Sequence, residues 1–116
     1  MNAVLKKINR INGVKGSLLI NRDGMVLVSE VAEGVEEVGI SALVSSIFVT
    51  IENALLRLDM GKLIRFSITG ERGRVVLFNI GQDIVLTVIT RKDINMGLLK
   101  VELDKSAEEL IQKMKR

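Results

Sequence analysis

The 116-residue chain has no cysteine, histidine, proline, tryptophan or tyrosine. Without cysteine there is no disulfide framework, no thiolate nucleophile and no thiolate zinc site. Without histidine the commonest general base and the commonest transition-metal ligand are both missing. Aromatic residues are limited to Phe48, Phe66 and Phe78. Each lies within an apolar run, where a core position is the natural reading, and none is placed to stack on bases. The net charge of +3 is mild, whereas nucleic-acid binders cluster basic residues and add stacking aromatics. A nucleic-acid partner is therefore not expected. No apolar run approaches the roughly 18 residues of a membrane span, and charges interrupt Met1–Lys7 too early for a signal peptide. A cytoplasmic protein with no membrane span is the expectation.

What the chain does have is apolar residues, which make up 47% of it, for a mean hydropathy of +0.32. One domain over residues 1–116 can bury a real core at this length, with apolar surface to spare for self-association. The stretch Gly13–Ser29 organises the rest. Leu18–Ile20 and Met25–Val28 are apolar runs around Asn21-Arg22-Asp23-Gly24. Asp23-Gly24 suits a turn that needs φ > 0, which predicts a hairpin. Apolar residues at consecutive positions predict strands covered on both faces, within a sheet between helical layers.

Before the hairpin, Val4, Leu5, Ile8 and Ile11 fall at helical spacing, with Asn2 as the expected cap and Asn12-Gly13 as the stop. After it, from about Val35 to Met60, runs the longest helical pattern. Ile40, Val44, Ile47, Ile51, Leu55 and Leu58 form one stripe. Ala42, Ser45, Ser46, Val49, Asn53 and Leu56 fall on nearly the opposite side, and this second stripe is small and apolar with one amide. A helix apolar on two faces is covered on both, the second either by a third layer of this chain, for which no element stands out, or by self-association.

Three strands follow. Leu63–Thr69 alternates, with Ile64, Phe66 and Ile68 on one face and Arg65, Ser67 and Thr69 on the other, as an edge strand does. Arg74–Ile80 comes next, after the turn Gly70–Gly73. The turn Gly81-Gln82-Asp83 then leads to Ile84–Thr90, which is apolar on both faces and reads as central. A closing helix from about Ile94 to Met114 buries Met96, Leu99, Leu103, Ala107, Leu110 and Met114. Asp93 or Asn95 caps it, and Glu109 and Lys113 form an i,i+4 pair. The second stripe of the long helix, together with Leu63, Arg65 and Ser67 of the edge strand, makes the expected dimer interface.

Gly70-Glu71-Arg72-Gly73-Arg74 is too short to be a phosphate loop. Asp23 and Asp83 are turn formers, and Ser45 and Ser46 have no base to activate them. No catalytic, metal-ligating or cofactor-binding residue is expected. Lys6, Lys7, Arg10, Lys100, Lys105, Lys113, Lys115 and Arg116 read as a solvated basic layer of the two terminal helices.

The order helix, strand, strand, long helix, three strands, helix resembles the Roadblock/LC7 family of dynein light chains and their prokaryotic relatives. The resemblance rests on Ile11-Asn12-Gly13-Val14-Lys15-Gly16, the turn with Asp23-Gly24, the small-residue face of the long helix, and Gly97-Leu98-Leu99. It implies a three-layer, profilin-like α/β (α+β) fold, with a five-stranded antiparallel sheet between one long helix and two terminal helices. It also implies two-fold dimers in which long helices pack together and third strands pair. The partner it implies is a small Ras-like GTPase, which one subgroup activates in polarity control of gliding motility. Other members serve as scaffolds. The competing expectation is a small-ligand sensor or scaffold of the same architecture with no GTPase partner.

Overall fold

The computed structural model describes residues 1–81 and 83–115. Eight elements run in the order α1 (Asn2–Asn9), β1 (Val14–Asn21), β2 (Val26–Val31), α2 (Glu37–Arg57), β3 (Arg65–Thr69), β4 (Arg74–Asn79), β5 (Ile84–Thr90) and α3 (Met96–Met114). The strands form one antiparallel sheet in the order β2-β1-β5-β4-β3. Helices α1 and α3 lie on one face and α2 on the other.

The alternation of β1 divides the core. Leu19 points to the α1/α3 side, where it joins Leu5, Ile8, Val76, Phe78, Leu86, Val88, Leu99, Leu103 and Leu110. Leu18 and Ile20 point to the α2 side, with Val44, Phe48, Leu63, Leu77 and Val85. Side chains at successive strand positions face opposite ways, so a strand buried on both faces is mostly apolar at consecutive positions, with Ser17 of β1 and Thr87 and Thr90 of β5 as the buried polar exceptions. β1 and β5 are such strands, as expected, and they sit side by side at the sheet's centre.

β2 departs from the expectation. It is an outer strand of half-buried residues, because β5 takes the other side of β1 and leaves β2 nothing to pair with beyond. Its Val31 still presses on the start of β1. A Cβ at Gly16 would lie 3.0 Å from Val31 Cγ1 and 3.2 Å from Val31 Cα, so a larger residue there would require Val31 to give by a few tenths of an ångström. The hairpin turn closes with Gly24 N–H donating to Asn21 O at 3.0 Å. Asn21 Oδ1 also accepts from the Asp23 and Met25 amides. Gly24 takes φ +88°, the left-handed geometry expected there.

The helix ends shift for local reasons. Asn2 does not cap α1. It lies inside the helix, and its Nδ2 donates to Glu30 Oε1 at 3.1 Å. Asn9, at the other end, donates to Glu30 O and accepts from the buried Ser17 hydroxyl. These two contacts pin α1 across β1 and β2. α2 stops at Arg57, because Asp59 and Gly61 adopt φ +55° and +82° and the Met60 amide folds back onto Leu55 O. Leu58, expected in the buried stripe, is therefore exposed. α3 begins at Met96 with Asn95 as its cap, the Oδ1 accepting from Leu98 N–H at 3.0 Å. Glu109 reaches Lys7 of α1 at 3.2 Å instead of Lys113.

α2 is also more apolar than the sequence runs suggest. Its 21 residues reach a mean hydropathy of 1.6 over 18 positions, long and apolar enough to cross a membrane by length and composition. Serine, threonine and glycine break the apolar runs without lowering the average much. One face of the helix is committed to the sheet through Ser41, Val44 and Phe48.

Candidate interaction surface

The two faces of α2 differ by one residue step. Phe48 is 2% exposed and Val49 is 38% exposed. On the outer side lie Ala42, Ser46, Val49, Asn53 and Leu56, all open to solvent. Leu43 stands beside them and is also exposed. Ser45, expected in the same stripe, is turned toward the hairpin. Its hydroxyl donates to Arg22 O at 2.6 Å, and its Cβ would lie 3.4 Å from a Cβ at Gly24.

α2 packs chiefly over the β1 and β2 side of the sheet and covers β3 only in part, with Phe66 half-buried and Ile68 exposed. Between α2 and β4–β5 runs a trough of about 270 Å³ lined wholly by apolar side chains, among them Ile40, Leu43, Ile47, Ile68, Val75 and Ile89. It continues past Ser46, Thr50 and Ile51 to Phe66 and Ile68. Ile64, just before β3, is 69% exposed. β3 pairs only with β4, so its outer backbone groups are unpaired among the described residues. Arg65 and Ser67 are exposed on it, while Leu63, expected at the same surface, is buried in the core beneath α2. The outer face of α2, the trough and the free edge of β3 thus form one apolar surface.

At one end of this surface a charged cluster ties three segments together. The Arg22 guanidinium, from the β1–β2 turn, pairs with the Glu52 carboxylate of α2 and with Asp83 Oδ1 at 3.4 Å. It lies 5.7 Å from the centre of the Phe48 ring. The Arg22 amide also donates to Asp83 O at 2.9 Å. Hydrogen bonding to Glu52, then its charge, raises the Arg22 pKa above the ordinary arginine value. Arg22 is therefore held at a junction and is not a free tip. Arg72, by contrast, sits exposed in the β3–β4 turn. Asp23 is exposed in the hairpin turn, as a turn former should be.

On the opposite face of the sheet, β3 and β4 meet the start of α3 in a crevice of about 250 Å³. Val76, Phe78, Met96, Leu99 and Leu103 wall it, and Arg65 and Lys100 stand at its rim. The basic layer of the terminal helices is partly neutralised, since Lys6 meets Glu30 at 4.0 Å, Lys7 meets Glu109 and Lys105 meets Glu102 at 3.9 Å. Arg116, expected in that layer, and Gln82, in the β4–β5 turn, lie outside the described residues. Among the described residues no group of three or more His, Cys, Asp or Glu side chains could hold a metal ion.

Residues 1–90 match the model of the Roadblock/LC7 domain. The chain belongs to the Roadblock/LC7 family. It is 30% identical over 110 residues to the uncharacterized protein MJ1340 of Methanocaldococcus jannaschii, across 95% of this chain and 96% of the relative. Its fold is that of Myxococcus xanthus MglB, with a TM-score of 0.92 at 16% identity over 98% of this chain and 94% of that one. The gliding protein MglB of Thermus thermophilus superposes with a TM-score of 0.84 at 21% identity, over 96% and 85% of the two chains. The surface described above, apolar along α2, the trough and β3, suits binding better than chemistry.

Proposed function

We propose that this chain, as one Roadblock/LC7 domain over residues 1–116, is a homodimeric module that binds and regulates a small Ras-like GTPase. The observation that carries the reading is the continuous apolar surface of α2, the trough and β3. Folded and alone, the chain leaves Leu43, Leu56 and Ile64 in water. A second copy related by a two-fold axis removes that exposure, because an isologous contact sets each patch against itself. β3 supplies backbone donors and acceptors for its own counterpart. The small residues Ala42 and Ser46 let two α2 axes approach.

Regulation of a GTPase rests on the family resemblance, together with the kinship in fold to MglB. A partner can speed GTP hydrolysis by inserting an arginine beside the γ-phosphate or by ordering the GTPase's own switch loops. The grip of Glu52 and Asp83 on Arg22 favours the second route. To reach a nucleotide, Arg22 would first have to abandon two carboxylates and the Phe48 ring. The test mixes the protein with the Ras-like GTPase of its own genome, loaded with GTP or GDP. Binding is expected to favour one nucleotide state, and Arg72→Ala is expected to leave any stimulated hydrolysis largely intact. Absence of binding in both states would refute the GTPase reading. A hundredfold loss of stimulation in Arg72→Ala, with binding retained, would make that residue an inserted arginine.

A further inference from the structure

We propose that the crevice between β3–β4 and the start of α3 is a second docking site, for an acidic amphipathic segment of a partner protein. It lies on the far face of the sheet from α2 and is built within a single chain, with Arg65 on β3 at the border of the proposed dimer seam and the remaining lining residues on β4 and α3. Three observations point to this occupant. The first is size. At about 250 Å³ the crevice falls below the roughly 300–1,000 Å³ of small-molecule pockets, and it suits one or two apolar side chains projecting from a longer segment. The second is the lining. Its walls are apolar, from Val76 and Phe78 of β4 to Met96 and Leu99 of α3, and no carboxylate lines it.

The third is charge. Arg65 and Lys100 stand at the rim, and among the described residues neither has an ion-pair partner. Arg65 instead lies 5.7 Å from the Phe78 ring centre, extended along the wall. Arg74, two positions before Val76 on the same face of β4, has a buried Nε without a hydrogen-bond partner. Carboxylates on either side of an apolar anchor would meet Arg65 and Lys100, and charge complementarity of this kind steers a partner and fixes its register. An apolar anchor in a groove with i, i+3, i+4 spacing is the usual way a helix docks. Gly97 lines the crevice without a side chain to fill it.

The test uses two synthetic helical peptides with leucines at i, i+3, i+4 and i+7, one carrying glutamates on its polar face and the other lysines. Amide chemical shifts of the full chain are followed during titration, alongside flotation with phosphatidylcholine/phosphatidylglycerol vesicles. The glutamate peptide is expected to shift Val76, Phe78, Met96 and Leu99, and the lysine peptide is expected not to. Lys100→Glu should weaken the glutamate peptide at least tenfold. Gly97→Leu should do the same with every charge kept, since a Cβ there meets only Asn95 Oδ1 at 3.5 Å and the added side chain fills the mouth. Unchanged affinity in both variants would overturn the proposal. So would shifts confined to α2 and β3, no shifts with the glutamate peptide at millimolar concentration, or vesicle binding in place of peptide binding.

Discussion

Phe48 and Val49 are neighbours in sequence and opposites in environment, and truncating each to alanine should separate folding from assembly. Phe48 projects from the sheet-facing side of α2 among Leu18, Ile20, Leu63, Leu77 and Val85, with the Arg22 guanidinium over its ring. Its loss leaves a cavity that the sheet cannot close, since β1 and β5 are held by ladders on both sides. Phe→Ala at such sites costs about 3–5 kcal/mol. With an unfolding entropy of about 2.1 cal/mol/K per residue, a chain of this length loses roughly 4 °C per kcal/mol, so Phe48→Ala should melt about 12–20 °C below the parent. Val49→Ala removes a side chain that is already 38% exposed, and alanine favours helix. At low protomer concentration its melting temperature should lie within about 3 °C of the parent, because surface changes cost within ~0.5 kcal/mol. Far-UV circular dichroism at two protomer concentrations measures both. Equal losses in the two variants would refute the division of α2 into a core face and a free face.

Gly24→Val should cost about 1–2 kcal/mol, because a β-branched residue is forced to φ > 0. A thermal melt at the parent temperature would show that the turn tolerates another geometry. Asn95→Ala should lose about 1 kcal/mol through the missing cap of α3, and a denaturant midpoint equal to the parent's would discount that hydrogen bond. Arg22→Ala should release the hairpin and the β4–β5 turn from α2, seen as faster amide hydrogen exchange at Asp83 and Glu52. Unchanged exchange would mean that the backbone contact from Arg22 to Asp83 suffices.

Much of the fold was legible because burial on both faces leaves a plain mark. Leu18-Leu19-Ile20 and Ile84–Ile89 are apolar with little break, and they became the central strands. Alternation in Ile64–Thr69 likewise marked an edge. The other edge was not legible. Val26-Leu27-Val28 is as apolar as a central strand, and only the insertion of β5 beside β1, a long-range choice with no local sign, leaves β2 outermost. Leu58 and Leu63 exchanged their expected environments around the end of α2, because φ > 0 at Asp59 redirects the chain after Arg57. At the candidate surface, the outer stripe of α2 followed from helical spacing. Helical spacing could not show the trough, which exists because α2 leans toward β1 and β2. The pairing of Arg22 with Glu52 joins residues 30 apart, and periodicity carries no information at that separation. The crevice at α3 left no mark in the sequence, because Arg65 and Lys100 come from elements that only the folded sheet brings together.

Burial of the apolar surface of α2 and β3 against a second copy, as proposed, makes the oligomeric state depend on that surface. Sedimentation velocity on the parent chain and on Val49→Glu/Ile68→Glu, across micromolar to millimolar concentrations, measures that state. The parent is expected to sediment as a dimer and the double variant as a folded monomer, since carboxylates buried without partners cannot be accommodated. A parent chain that sediments as a monomer at every concentration would contradict the proposed burial.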